Sequence, residues 1–80
     1  MDSENVFGER VLALRAAAGL TQQQVGEAIG MTKQAIKDIE KGRRQTTISK
    51  AVHMARFFNT TVEYLCGDTD VIDRPNGWKS

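Results

Sequence analysis

Apolar residues recur along this chain at helical spacing, and nowhere do they alternate with polar ones as a half-buried strand requires. Phe7, Val11, Leu14 and Ala18 fall at i, i+4, i+7 and i+11 and mark one stripe of a first helix. Gly19 follows and suits a left-handed helix terminus. Thr21 then offers a hydroxyl to a second helix, and Gln24 three residues on completes a capping-box pattern. Val25 and Ile29 form the buried edge of that helix, and Gly30 stops it. Thr32 caps a third helix, Lys33 to Lys41, with Ile36 and Ile39 facing inward and Gly42 closing the end. Arg43-Arg44-Gln45-Thr46-Thr47 is polar and aperiodic, so it reads as a loop. Thr47 caps a fourth helix whose stripe is Ile48, Ala51, Met54, Ala55 and Phe58. Thr60 or Thr61 starts a short fifth helix containing Val62, Tyr64 and Leu65, with Glu63 near its positive end and Gly67 ending it. The pattern predicts an all-α fold of five helices over residues 1–67. Asp68, Asp70, Asp73, Pro75 and Gly77 make residues 68–80 a tail, ordered only if something holds it.

Eighty residues suffice for one small domain. Charged residues make up 26% and hydrophobic ones 40%, which excludes a disordered chain. No apolar run approaches the roughly 20 residues that span a bilayer. The opening Met1-Asp2-Ser3-Glu4-Asn5 lacks the basic flank and apolar stretch of a signal peptide. A lone cysteine, Cys66, has no internal disulfide partner, and a cytoplasmic setting is expected. Net charge is only +1, but it is unevenly placed. Residues 33–56 hold seven cations (Lys33, Lys37, Lys41, Arg43, Arg44, Lys50, Arg56) against Asp38 and Glu40, giving +5 and leaving −4 for the rest. A segregated basic segment is what a polyanion would meet, although a solvated helix face has the same composition.

The spacing within residues 21–42 is the informative feature. Two helices of about two turns are joined at Gly30 by three residues, so they must cross steeply, with Val25, Ile29, Ile36 and Ile39 in shared apolar contact. The outer side of the second then carries Lys33, Gln34, Lys37, Asp38 and Lys41 and almost nothing apolar. A polar, mostly cationic helix on a compact support suits a DNA major groove.

Gly19-Leu20-Thr21-Gln22, then Gly30-Met31-Thr32, then Ile36 with Ile39-Glu40-Lys41-Gly42, and finally Tyr64-Leu65 with Gly67, resemble the Cro/CI-type helix-turn-helix domain (lambda-repressor-like, XRE family), and Leu14-Arg15 fits the same pattern. The resemblance covers roughly residues 5–67. It implies a five-helix lambda-repressor-like fold and a transcriptional regulator, most simply a repressor binding a palindromic operator as a homodimer, as small phage or prophage repressors do. In that family the second motif helix enters the groove while the first crosses the backbone. Carried over, Gln22 sits on a phosphate, helped by its backbone N–H at a positive helix end. Lys33, Gln34, Lys37 and Asp38 occupy base-reading positions, and Lys41, Arg43 and Arg44 complete the DNA-binding surface. Gln34 is the leading base reader, since its amide matches adenine N6 and N7, while Asp38 either accepts from cytosine N4 or pairs with a neighbouring side chain. Glu40 and Arg15 are expected to form a scaffold pair.

The resemblance has three departures. Gly26 stands where Ala is usual, allowing close approach at a helix-propensity cost of about 1 kcal/mol. Lys33 replaces a Gln that leans on the preceding one, and lysine cannot accept a hydrogen bond. Thr46 replaces the usual Pro of the following loop. Dimerisation is expected through the last helix, at Val62, Tyr64, Leu65 and Cys66, with the tail, including Trp78, as a possible contributor. Two half-sites would then lie roughly 34 Å apart.

No arrangement of residues supports catalysis, and neither cofactor nor metal is expected, His53 being a lone histidine and Cys66 reading as a small hydrophobe. The expected partners are double-stranded operator DNA and a second copy, with a protein antagonist as a further candidate and no membrane. Localisation on the nucleoid of a bacterial cytoplasm follows from the resemblance. An antitoxin-like regulator, holding a toxin and autoregulating its operon, is the alternative function. A protein-interaction module without DNA binding is the second rival, and the cations kept on the recognition face argue against it.

Overall fold

The computed structural model describes residues 5–72 and contains, among them, five helices and no strand: α1 (Val6–Ala17), α2 (Gln22–Ile29), α3 (Lys33–Glu40), α4 (Ile48–Phe57) and α5 (Val62–Cys66). The boundaries follow from side chains that satisfy helix-end N–H groups. Thr21, Thr32, Thr47 and Thr61 each sit extended at an N-cap and accept from the N–H three residues on. At α2 the capping box is complete: Gln24 N–H donates to Thr21 Oγ1 at 3.0 Å, and Thr21 N–H to Gln24 Oε1 at 2.8 Å. Thr61, not Thr60, caps α5; Thr60 is buried, and its hydroxyl donates to the Ile72 carbonyl. The left-handed backbone at Gly30 ends α2 and turns the chain at once into α3.

The core is one cluster of Val11, Val25, Ile29, Ile36, Ile39, Met54, Ala55 and Leu65, with Phe7, Leu14, Leu20 and Phe58 packed against it. α2 and α3 make the most extensive contact, α1 packs on α3 and α5, and α4 closes the core against α2 and α5. Two positions depart from the stripes read in the sequence. Ala18 lies just beyond α1 as its exposed C-cap. Ile48 is 82% exposed, because the first residue after the Thr47 cap points away from the face that carries Ala51, Met54 and Ala55.

Gly8 marks a close approach that the apolar pattern does not reveal. A Cβ there would lie 2.1 Å from the Ile39 carbonyl oxygen and 2.9 Å from that of Glu40, so α1 presses directly on the last turn of α3. Asn5 Nδ2 adds a hydrogen bond to the Glu40 carbonyl at 3.0 Å. Gly26 plays the corresponding part in the motif itself, where a Cβ would sit 2.4 Å from the Met31 carbonyl oxygen. The glycine is therefore a steric requirement of this α2–α3 turn.

Arg10 holds the segment that follows α5. Its guanidinium donates to the Tyr64 carbonyl at 2.6 Å, the Thr69 carbonyl at 2.7 Å and Asp70 Oδ1 at 2.9 Å. It also lies over the Tyr64 ring, 4.2 Å from the centroid. With Thr60 bonded to Ile72, residues 69–72 are fastened to α1 and to the α4–α5 junction. Trp78 and the rest of 73–80 lie outside the described residues. None of the described helices is long and apolar enough to cross a membrane.

Candidate nucleic-acid interface

The interface is built on α3, whose inward side is Ala35, Ile36, Ile39 and Glu40. Ile36 and Ile39 anchor it in the core, and Glu40, only 4% exposed, fixes it to two other helices. Arg15 of α1 grips the Glu40 carboxylate with two hydrogen bonds, Nε to Oε2 at 2.6 Å and Nη2 to Oε1 at 3.1 Å. Gln22 at the start of α2 donates its side-chain N–H to Glu40 Oε1 at 3.0 Å. The hydrogen bond to Glu40 raises the Arg15 pKa above its ordinary value; burial opposes this and the carboxylate charge adds to it. The expected Arg15–Glu40 pair is therefore present, and Gln22 joins it as a third member.

Gln22 is thus half-buried, with its amide directed at the C-terminal end of α3 and away from Lys33. Its backbone N–H remains at the exposed start of α2, among the N–H groups that no helical carbonyl can accept. That positive helix end is a suitable seat for a phosphate.

The outward side of α3 carries the other positions singled out in the sequence. Lys33 and Gln34 are exposed in the first turn, Lys37 and Asp38 are half-buried in the second, and Lys41 is exposed at the C-cap. Arg43 and Arg44 are exposed in the loop beyond Gly42, and the Arg43 N–H donates to the Asp38 carbonyl at 2.8 Å. Among the described residues, none of these five cations is engaged in an ion pair, so their charge faces solvent. Gln34 Nε2 donates to Asp38 Oδ1 at 3.0 Å, a link between two candidate reading positions.

Lys50 belongs to the basic segment by sequence, but its ammonium is turned onto the protein. Its ammonium donates to the Ile29 carbonyl at 2.9 Å and approaches that of Gly30 at 3.4 Å, capping the negative end of α2. This bond steadies the motif turn from behind. No sequence spacing announces it, since the partners are 21 residues apart. Thr46, in the loop, has a buried hydroxyl with no partner among the described residues.

The α5 positions divide unequally. Leu65 is fully buried in the core, so the expectation that it faces a second copy is corrected: its side chain supports α5 from within. Tyr64 is half-buried beneath Arg10, which leaves Val62, half-buried, and Cys66, exposed. Val62 and Cys66 line an open groove of ≈ 600 Å³ together with Phe7, Ile48, Ala51 and Thr46. Ile48, whose exposure breaks the α4 stripe, is part of this apolar surface.

The family model described as helix-turn-helix matches residues 11–65. A Bacillus subtilis protein named as an HTH-type transcriptional regulator, YobD, is 32% identical over 65 residues, spanning 81% of this chain and 58% of its own length. The control protein C.SmaI of Serratia marcescens is 31% identical over 65 residues, spanning 81% of this chain and 77% of its own. The chain thus covers less than two thirds of YobD, and the same holds for relatives from two Rickettsia species, at 55% and 58%. Among solved structures, the P22 c2 repressor in complex with a synthetic operator superposes with a TM-score of 0.71 at 22% identity, covering 74% of this chain and 89% of its own. That likeness establishes the fold.

Proposed function

This chain belongs to the helix-turn-helix family, and on that premise we propose that it is a sequence-specific DNA-binding transcriptional regulator, a repressor that acts as a homodimer on a palindromic operator. The observation that carries the reading is the division of α3 between a buried, bonded side and an outward side whose cations have no ion pair among the described residues. Lys33, Gln34 and Lys37 meet base edges in the major groove, with Asp38 beside them on the same face, while Lys41, Arg43, Arg44 and the backbone N–H of Gln22 meet phosphates. Naming of relatives as regulators and as a control protein supports this, as does the operator bound to a repressor of the same fold. Val62 and Cys66, extended by Ile48 across the groove, supply the surface for a second copy. The site of action is the nucleoid of a bacterial cytoplasm.

Selection of bound sequences from random DNA by the full chain tests the proposal. The expected outcome is a palindrome with half-sites about one helical turn apart, roughly 34 Å, bound by a dimer. Affinity should fall steeply with added salt as phosphate counterions are exchanged. Recovery of no common sequence, or binding indifferent to salt, overturns it.

A further inference from the structure

We propose that Asp38 sets the base preference of Gln34 by accepting one of its two amide protons, so that Gln34 reads adenine and rejects guanine. The inference rests on the DNA-reading role proposed above and adds to it a positioning residue on the same helix. Gln34 Nε2 lies 3.0 Å from Asp38 Oδ1, one turn further along α3. An ionised carboxylate only accepts, so the two ends of the Gln34 amide are not interchangeable here: Nε2 must face Asp38, and Oε1 must face away.

A glutamine without such a neighbour presents two protons on nitrogen and lone pairs on oxygen. It can offer one donor and one acceptor to adenine N7 and N6, or turn both protons towards guanine N7 and O6. With one proton committed to Asp38, only the donor–acceptor pair remains, which is adenine's pattern. Guanine then sets its O6 acceptor against Oε1, and acceptor meets acceptor. Asp38 itself is well placed to hold this geometry. It is half-buried, its carbonyl accepts the Arg43 N–H at 2.8 Å, and among the described residues no cation forms an ion pair with its carboxylate. A carboxylate beside DNA also repels phosphate, so Asp38 lowers affinity for DNA in general while raising selectivity.

The test compares Asp38→Ala, Asp38→Asn and Gln34→Ala in the full chain, on the selected operator and on a version with A·T changed to G·C at the base pair that Gln34→Ala relaxes. The unaltered chain should discriminate by about tenfold or more at that pair. Asp38→Ala should lose most of that discrimination while binding unrelated DNA more tightly. Asp38→Asn removes the same charge and can donate as well as accept, so the Gln34 amide is free to turn: it should bind unrelated DNA equally tightly and lose part of the discrimination. Adding Asp38→Ala to Gln34→Ala should change nothing further at that pair. Discrimination kept in full by Asp38→Asn would show that an accept-only carboxylate is not what orients Gln34 and would overturn the proposal. So would a preference altered at a different base pair, which would make Asp38 a reader in its own right. If the unaltered chain selects no sequence, the DNA-reading role fails and takes this inference with it. If it selects one and Asp38→Ala discriminates as before, the inference alone fails.

Discussion

The two sides of α3 are built by opposite means. Inward, Glu40 alone joins Arg15 of α1, Gln22 of α2 and, through its carbonyl, Asn5. Each of those groups is held by a buried or half-buried neighbour, so the axis of α3 is set by bonds from several directions. Outward, five cations have no ion pair among the described residues, where one side-chain bond, Gln34 to Asp38, ties two candidate readers together. The difference separates two requirements of groove recognition. The helix must arrive in a fixed pose, because misplacement would affect every base contact together. Its long cations must still adapt to phosphates whose positions vary with sequence. Rigidity is therefore concentrated behind the helix and adaptability in front of it.

Substitution of Glu40 by Ala is the strongest way to break that contrast. It leaves a guanidinium and an amide without their acceptor, and loss of one member of a buried ion pair costs about 3–5 kcal/mol. In a domain of this size each kcal/mol lowers Tm by roughly 4–8 °C. Urea unfolding checks it, and a loss below about 1 kcal/mol would show that the hydrophobic contacts fix α3 unaided. The raised Arg15 pKa means that the guanidinium's share of this stabilisation is in place through the neutral range and is lost as strong alkali discharges it in the folded state. Unfolding free energy should accordingly show no contribution from Arg15 titration through the neutral range.

Gly26→Ala should have the next largest effect. The methyl would press on a backbone carbonyl that cannot swing aside, at an overpacking cost of about 1–3 kcal/mol. Alanine's better helix propensity returns about 1 kcal/mol. A net loss of stability on thermal unfolding is expected, and a gain would mean that the α2–α3 turn is looser than its contacts indicate. The smallest effect on stability belongs to the outward side: Arg43→Ala should stay within about 0.5 kcal/mol of the unaltered chain. Its signature lies in DNA binding, weakened for all sequences alike, with a salt dependence shallower by about one counterion. Titrations by fluorescence anisotropy at several salt concentrations would check this, and a change in sequence preference would move Arg43 to the base-reading set.

The legible parts of the molecule were those whose cause is local. Caps at Thr21, Thr32 and Thr47, the stops at Gly30 and Gly67, and the inward stripe of α2 and α3 depend on residues a few positions apart, and each is where the spacing placed it. The Arg15–Glu40 pair came through the family resemblance. What stayed hidden depends on residues far apart in the chain. Lys50 counts as surface charge until the end of α2 is seen beside it. Gly8 looks like a poor helix residue until the opposing carbonyls are in view. Ile48 fits the buried stripe by spacing yet is exposed, because one helical stripe does not tell which residues of the first turn already point past the core. Leu65 is hard to place from the sequence for a related reason, since in a five-residue helix the periodicity is too short to separate the two faces.

Arg10 has a consequence for how the fold is held in time. Its bond to Asp70 joins residues 60 apart, closing nearly the whole described chain into a ring. Contacts across so long a loop form after the local helix pairs, because the chain entropy of closure must be met before they contribute. A late contact leaves the folding rate nearly unchanged and acts on the reverse step. Arg10 is thus expected to act as a latch rather than a guide: Arg10→Ala should speed unfolding more than it slows folding, measured by stopped-flow in urea.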